Sequence, residues 1–237
     1  MRLGHFVTHP IHPGFEVAEN GNGEENLVFW RGGAMLCGMS ATPSAMLPLG
    51  TPAPAFSLPD VATGNIRSLE DFASSPALLI VFMCAHCPYV HHVLPELVRL
   101  RRDYHEQGVA MVGITANDVS QYPEDAPEPT ARWARQVGLT FPILFDETQE
   151  VAKGFTAACT PDFFLFGPDR RLVYRGQIDS SRPSRGVERP GKGELNGSDM
   201  RAAIDAVLAG RPVTEQQTPS IGCNIKWKPG NAPPFFR

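Results

Sequence analysis

The feature that most constrains this fold is an uninterrupted apolar run that ends in two cysteines three positions apart. The run reads PALLIVFMC from Pro76 to Cys84, and the chain continues through Cys87 into Pro88. A run without polar alternation predicts a strand buried on both faces of a mixed or parallel sheet. Because proline suits the first turn of a helix, the cysteine pair is expected at a junction between a strand and a helix.

The flanking segments alternate between strand and helix patterns. Apolar residues three and four apart predict a helix that ends near Gly108, and GVAMVGIT predicts a second buried strand. Later segments predict a helix from Thr130 to Val137, a β-hairpin that turns at 167–170, and a last helix capped by Ser198. Ahead of the pair, APAFSLPDVATGNIRSLEDF predicts a hairpin and a short helix. The whole pattern indicates an α/β fold: a central mixed β-sheet flanked by helices on both faces, with an N-terminal hairpin extension.

Composition divides the chain into three parts. Residues 1–48 are expected to form a flexible segment without firm strands or helices, and ENGNGEEN within it has little to bury. Met39 is a plausible alternative start of the native chain. Residues 49–210 are expected to form the folded domain, and residues 211–237 a tail that docks on this domain or lies over its surface. The first part also contains Cys37, His5, His9 and His12, to which no site is assigned.

Charge and hydropathy exclude several classes of function. The net charge of −4 and the absence of a Lys/Arg run argue against a nucleic-acid partner. No apolar stretch approaches the roughly 20 residues that span a bilayer. The N-terminus lacks a basic head followed by a long apolar segment, so a secretory signal is not expected. We therefore expect a cytoplasmic location.

The five cysteines do not resemble a secreted disulfide framework, because their number is odd and low for 237 residues. In a reducing compartment, a close pair such as Cys84 and Cys87 is more often catalytic or metal-binding than structural. The N–H groups at a helix start stabilise a thiolate, and a protonated His86 between the cysteines would add to this effect and make the pair more oxidising. The helix start favours Cys87 as the attacking thiol and exposure favours Cys84, and we expect Cys84 as the nucleophile and Cys87 as the resolving cysteine.

Metal binding is the alternative from another class of function. The ligands would come from Cys84, Cys87, His86, His91 and His92, a sulfur and imidazole set that suits copper or zinc. A single C-x-x-C lacks the second cysteine pair of a convincing zinc site. His91 and His92 are adjacent, so on a helix they point about 100° apart and cannot both face the thiols.

Several stretches together resemble the peroxiredoxin-like, or AhpC/TSA redoxin, branch of the thioredoxin superfamily. They lie between about Leu49 and Lys228 and read APAFSLPD, LLIVFMCAHCPYV, GVAMVGITAND, FPILFDETQEVAKGF, CTPDFFLFGPDRRLVYRGQID and TPSIGCNIKWK. The resemblance implies a thioredoxin-like fold in which a cis-proline at Pro161 faces the cysteine pair. It also implies that Thr160 offers its backbone to an incoming substrate strand or disulfide.

The chain departs from this family at two positions. Peroxiredoxins carry Pro-x-x-x-Thr-x-x-Cys, and if Cys87 is the matching cysteine, Cys84 stands at the Thr position and Ile80 at the Pro position. The sequence therefore favours a thiol-disulfide oxidoreductase with a role in cell redox homeostasis and antioxidant defence, and a thiol peroxidase is the alternative. No cofactor is expected beyond the dithiol itself. The expected partners are a thiol or disulfide substrate and a thiol electron donor, with the protein acting as a monomer or homodimer.

Three further residues are candidate neighbours of the pair. Cys159 lies two positions before Pro161 and is read either as a packed core thiol or as an additional redox thiol. Cys223 lies in the tail and is a candidate third redox thiol that takes over the disulfide. Asn117 follows a central strand at its carboxyl end, the side on which α/β sites form. The acidic positions that follow it, at 118, 124, 125 and 128, are read as a solvated edge.

Overall fold

The computed structural model describes residues 41–184 and 191–235, together with three earlier strands at 10–12, 15–19 and 25–30. The chain divides into two compact units, Met1–Met39 and Ser40–Arg237.

The first unit contains a small antiparallel sheet. Its strands are β1 (Pro10–His12), β2 (Phe15–Glu19) and β3 (Glu25–Trp30), in the order β1-β2-β3. The sequence shows no periodicity that predicts these strands, and the flexibility expected of residues 1–48 stays a prediction. These strands are short, and they satisfy their backbone hydrogen bonds by pairing with each other, which does not require a long apolar pattern. Cys37, His5 and His9 lie outside the described residues.

The second unit is built on a five-stranded mixed sheet. The strands of this unit are β4 (Ala41–Pro43), β5 (Ser57–Pro59), β6 (Ile66–Ser68), β7 (Leu78–Phe82), β8 (Ala110–Thr115), β9 (Ile143–Phe145), β10 (Cys159–Thr160), β11 (Asp162–Phe166), β12 (Leu172–Arg175) and β13 (Ile221–Asn224). Its α-helices are α1 (Pro88–His105), α2 (Pro127–Gln136), α3 (Glu150–Gly154) and α4 (Ser198–Leu208). The order in the main sheet is β12-β11-β7-β8-β9. Strands β7, β8 and β9 are parallel, whereas β11 is antiparallel to both β7 and β12.

Both faces of this sheet are covered, as the unbroken apolar run predicts. Alternate residues of a strand point to opposite faces, and Leu79 packs in one apolar core with Leu97 of α1 and Ile204 of α4. Phe82 packs in the other core with Phe155, which directly follows α3. The predicted α/β class, with helices on both faces of a mixed sheet, is confirmed. The predicted hairpin ahead of the pair is also present as β5 and β6.

The ends of the second unit differ from the sequence expectation. Strand β4 belongs to this unit and pairs with β13 from the tail, which in turn pairs with β10. The tail is therefore partly a buried strand and does not simply lie over the surface, because Cys223 is only 4% and Ile225 only 1% exposed. Helix α4 is capped by Gly197 and not by Ser198, which is its first residue. A Cβ at Gly197, where φ is +66°, would collide with the side chain of Glu96.

Candidate active site

The cysteine pair lies where β7 ends and α1 begins. Met83 continues the strand by donating its N–H to Ile114 O at 2.9 Å. Cys87 is the N-cap residue of α1, with extended backbone angles, and Pro88 is the first helical residue. Cys87 thus lies where free backbone N–H groups and the positive end of the helix dipole meet.

The two sulfur atoms share contacts with Thr160. Cys84 Sγ lies 3.4 Å from Thr160 Oγ1, and the Cys87 thiol donates to Thr160 O at 3.0 Å. The peptide bond between Thr160 and Pro161 is cis. Cys84 is 1% exposed and Cys87 is 0% exposed, so the expectation that exposure favours Cys84 does not hold.

Electrostatics do distinguish the two thiols. Burial raises the pKa of Cys87, but hydrogen bonds from Cys223, Cys84, Thr160 and the backbone of Val90 outweigh it, and the net pKa lies well below the usual value. On ionisation the contact with the Thr160 carbonyl is lost, while the donors remain. The reduced pair is therefore predisposed to hold its negative charge on Cys87.

Cys84 is shifted in the opposite direction. Burial raises its pKa well above the usual value, and the hydrogen bond to Cys87 and the negative charge of Asp125 raise it further. The hydroxyl of Thr160 opposes this shift without reversing it. The pKa values of the two thiols are thus shifted in opposite directions, and the single negative charge for which the thiols compete is favoured on Cys87.

His86 faces a buried carboxylate. Its Nδ1 lies 2.7 Å from Asp125 Oδ2, and its ring stacks on Tyr122 with the centroids 5.2 Å apart. Burial lowers the pKa of His86, but the hydrogen bond to Asp125 and the charges of Asp125 and Glu124 outweigh burial and raise the net value. The cationic form of His86 is thereby favoured beside the cysteine pair.

Asp125 is a residue of the site whose role the sequence did not indicate. It is 0% exposed, which corrects the interpretation of this acidic loop as a solvated edge. Besides His86, its carboxylate accepts hydrogen bonds from Ala85 N at 3.0 Å and from Asn117 Nδ2 at 2.8 Å. Asn117 in turn accepts a hydrogen bond from Lys226 N at 2.9 Å. Asn117 therefore supports the site through Asp125, and the tail supports Asn117.

The backbone of Thr160 is already occupied by the chain itself. Strands β10 and β13 are antiparallel, with Thr160 opposite Cys223 and Cys159 opposite Asn224. Gly222 packs so closely that a Cβ there would overlap the carbonyl of Thr160. The expected docking position for a substrate strand is thus filled on this side by β13, which brings Cys223 to the pair.

Cys159 is a buried thiol of different character. It is 0% exposed, and its Sγ lies 3.6 Å from Pro161 O. Burial raises its pKa well above the usual value, and the charge of Asp162 adds to this rise. Thr160, its neighbour in β10, points to the opposite face of the strand, toward the cysteine pair. This environment fits the interpretation of Cys159 as a thiol packed in the core.

Two of the three histidines in the metal hypothesis, His91 and His92, hydrogen-bond elsewhere. His91 Nε2 lies 2.7 Å from Ala85 O, and His92 Nε2 lies 2.8 Å from Ser181 Oγ. The third, His86, does lie near a sulfur atom: Cys84 Sγ, a ring nitrogen of His86 and a carboxylate oxygen of Asp125, which the hypothesis did not include, all lie within 4.8 Å of one another. Only one of the two cysteines belongs to that cluster.

The fold and the site define a protein of the thioredoxin-like class: a dithiol at a helix start faces a cis-proline loop on a mixed sheet. The solved structure of a Chlorobium tepidum protein provisionally named a thiol:disulfide interchange protein shares this fold, with a TM-score of 0.53. It covers 69% of this chain and 99% of that one at 18% identity, a likeness that shows the fold alone. Among the described residues, none of the helices has the length and apolar character needed to cross a membrane.

The model of the AhpC/TSA family matches residues 49–175, so the chain belongs to that family. A Mycobacterium tuberculosis protein provisionally named a peroxiredoxin is 32% identical over 116 residues, which cover 49% of this chain and 68% of that protein. The thiol-disulfide oxidoreductase ResA of Halalkalibacterium halodurans is 26% identical over 46% of this chain and 56% of its own length. The solved structure of an uncharacterized conserved protein from Geobacillus kaustophilus is 54% identical, with a TM-score of 0.76, and covers 81% of this chain and 98% of that one.

Proposed function

We propose that this protein is a thiol-disulfide oxidoreductase that uses Cys84 and Cys87 as a redox pair. The observation that carries this proposal is the placement of the two sulfur atoms: both contact Thr160, and Cys87 is the N-cap residue of α1. The lowered pKa of Cys87 and the raised pKa of Cys84 support it. One thiolate beside one protonated thiol is what two successive exchange steps need.

In the first step, the Cys87 thiolate attacks one sulfur of a substrate disulfide. A mixed disulfide forms, and the other substrate sulfur leaves as a thiolate. In the second step, Cys84 loses its proton and attacks Cys87 Sγ, which forms the Cys84–Cys87 disulfide and releases the second substrate thiolate. Two electrons pass from the pair to the substrate, and a donor thiol returns them by the reverse exchange.

His86 is suited to move the proton of Cys84. A ring nitrogen of His86 lies within 4.8 Å of Cys84 Sγ, and Asp125 holds the imidazole in place. The raised pKa of His86 makes its neutral form a better base for the second step, and its cationic form a proton donor for the reverse step. His86 is thus a candidate acid and base, and Asp125 is its positioning residue.

The peroxidase alternative finds less support in the residues around the pair. Ile80 and Cys84 occupy the positions at which the peroxiredoxin pattern carries Pro and Thr. Thr160 does offer a hydroxyl to Cys84, but it comes from the cis-proline loop and not from the turn that contains the cysteines.

The two activities are separated by assaying both on one preparation. The reduced protein is given either a small disulfide or hydrogen peroxide, and loss of free thiol is followed in the wild type and in Cys84→Ser and Cys87→Ser. The proposal predicts disulfide reduction that Cys87→Ser abolishes, that stops at a mixed disulfide on Cys87 when Cys84 and Cys223 are both replaced by serine, and that Cys159→Ala leaves unchanged. Peroxide consumption that depends on Cys87 and exceeds disulfide reduction would replace the proposal with the peroxidase.

A second candidate function is binding of a soft divalent metal at Cys84, His86 and Asp125. The observation that favours it is the convergence of these three donors, which are of the types that Zn²⁺ accepts. Equilibrium dialysis of reduced protein against Zn²⁺ tests it. One equivalent that is lost in both Cys84→Ser and Asp125→Asn would support metal binding, whereas retention of that equivalent in Asp125→Asn would refute this ligand set.

A further inference from the structure

The tail carries a third thiol to the redox pair through strand pairing. Thr160 and Cys223 lie directly opposite each other in the antiparallel pair β10–β13. Residues opposite each other in such a pair place their side chains on the same face of the sheet. The side chain of Thr160 contacts Cys84 Sγ at 3.4 Å, so Cys223 lies on the face that looks toward the pair.

Direct contact with the pair follows from this placement. The thiol of Cys223 hydrogen-bonds to Cys87, and Cys223 is 4% exposed. Helix α1, which begins next to Cys87, contacts β13. Gly222 lets β13 approach this closely, because a Cβ there would overlap Thr160. The tail residue is therefore held at the site by backbone pairing and by close packing, both independent of its own thiol.

We propose that Cys223 is a third redox thiol, which attacks Cys87 Sγ in the oxidised pair and transfers the disulfide to Cys87 and Cys223. This inference rests on the proposed function, which supplies the Cys84–Cys87 disulfide. The Cys223–Cys87 bond forms as the Cys84–Cys87 bond breaks. One disulfide exists before and after the step, so no further oxidant is needed.

The protons also balance. Cys223 loses one proton as it attacks, and Cys84 gains one as it leaves. His86, within 4.8 Å of Cys84 Sγ, is placed to deliver that proton. The step returns Cys84 to its thiol form and stores the oxidising equivalent on the tail strand.

Disulfide mapping by mass spectrometry tests this transfer. Cys37, which lies outside the described residues, is replaced by serine in every variant. The full chain is oxidised with a small disulfide, quenched in acid, alkylated and digested with trypsin without reduction. No Lys or Arg lies between Cys84 and Cys87, so their disulfide gives a looped peptide, whereas Cys87–Cys223 gives two cross-linked peptides.

The parent protein, which carries only the replacement of Cys37 by serine, is expected to yield both the looped peptide and the cross-link between Cys87 and Cys223. Cys84→Ser is expected to yield the cross-link to Cys223 alone, and the same cross-link should persist in Cys84→Ser/Cys159→Ala. It should be lost in Cys84→Ser/Cys223→Ser. Circular dichroism checks that each variant is folded.

Two negative results have different meanings. A looped peptide in the parent with no cross-link between Cys87 and Cys223 there overturns the transfer, whatever Cys84→Ser yields, and leaves the proposed function standing. The absence of both products in the parent overturns the proposed function and the transfer together.

Discussion

His86 Nδ1 lies 2.7 Å from the carboxylate of Asp125, which is itself 0% exposed. The same carboxylate accepts the backbone N–H of Ala85, the residue between Cys84 and His86. One buried charge thus fixes both the imidazole and the backbone of the loop that contains the two thiols. The electrostatic state of the site therefore depends on a residue of the loop before α2, about 40 positions along the chain.

Asp125→Asn is expected to lower the pKa of His86. The negative charge and the strong acceptor that outweigh burial are removed, while the amide oxygen of Asn can still accept from Ala85. Titration of the imidazole by NMR measures this shift. Glu124→Gln is the control: Glu124 Oε1 is 3.8 Å from the ring, so a smaller decrease is expected. An unchanged pKa in Asp125→Asn would contradict the positioning role.

The ion pair between His86 and Asp125 is expected to make the stability of the fold depend on pH in a definite direction. Because the pKa of His86 is raised in the folded protein, the pair stabilises the fold fully below the unfolded pKa. That contribution is lost as pH rises through the folded pKa. Denaturation with urea across this range should therefore show a decrease in the free energy of unfolding that is smaller in His86→Asn. An equal decrease in both proteins would argue against it.

The two thiols are expected to ionise in separate pH ranges. Cys87 should be a thiolate below the usual cysteine pKa, whereas Cys84 should remain protonated above it. Thiolate absorbance near 240 nm, recorded against pH for Cys84→Ser and Cys87→Ser, assigns the two transitions. A transition at lower pH in Cys87→Ser than in Cys84→Ser would reverse the roles proposed for the two cysteines.

Thr160 is expected to tune this ionisation through its hydroxyl. Thr160→Val removes a donor that lowers the pKa of Cys87 at nearly constant volume, so the thiolate transition should move to higher pH. Thr160→Ser keeps the hydroxyl and should leave the transition near its original position. If both variants behave alike, the hydroxyl does not stabilise the thiolate.

Gly222→Ala is expected to displace β13 from β10. The new Cβ would overlap the carbonyl of Thr160, and overpacking of this kind costs roughly 2 kcal/mol. Urea denaturation should show this loss, and disulfide mapping should show less of the cross-link between Cys87 and Cys223. Gly154→Ala is the matched control, because its Cβ would meet Pro54 only at an ordinary 3.4 Å. Equal stability of the two variants would contradict the close approach.

Asp162 should make a second contribution to the pH dependence of stability, in this case from an acidic group. It is fully buried, and burial raises its pKa to about 6 although Ala158, Ser44 and Ser220 donate hydrogen bonds to it. A carboxyl group with a raised folded pKa binds its proton more tightly when folded, so stability decreases as pH rises from about 4 to about 6. A shift of this size in the pKa of Asp162 corresponds to a decrease of roughly 3 kcal/mol in the free energy of unfolding. Asp162→Asn should abolish it, and an unchanged pH profile in this variant would contradict the account.

The sequence predicted the parts of the fold that depend on local pattern. The run from Ala77 to Phe82 is apolar throughout, which predicts its burial, and Pro88 marks the start of the helix. The strand, the helix and the thiol pair between them could therefore be predicted from the sequence. The position of Asp125 could not, since its burial depends on Asn117 and on the backbone of Ala85, which only the tertiary fold brings near. A carboxylate in a Pro-rich acidic loop looks solvated when its partners are unknown.

The tail shows the same limit. Nothing periodic around Cys223 indicates a strand, because β13 is four residues long and is specified by pairing with β10 and β4. The sequence could therefore name Cys223 as a candidate redox thiol without locating it. The strands of the first unit were missed for the same reason, since each is only three to six residues long.

A redox titration shows whether Cys84 and Cys87 form one redox couple. Cys223→Ser protein, in which the pair is isolated from the tail thiol, is equilibrated in a series of thiol/disulfide buffers and labelled with a thiol-specific mass tag. We expect Cys84 and Cys87 to lose their labels together, as one two-electron couple whose ratio of oxidised to reduced protein changes tenfold per about 30 mV. If both residues keep their labels across the series, or if one is oxidised to a sulfenic acid without the other, the pair is not the dithiol couple proposed for this protein.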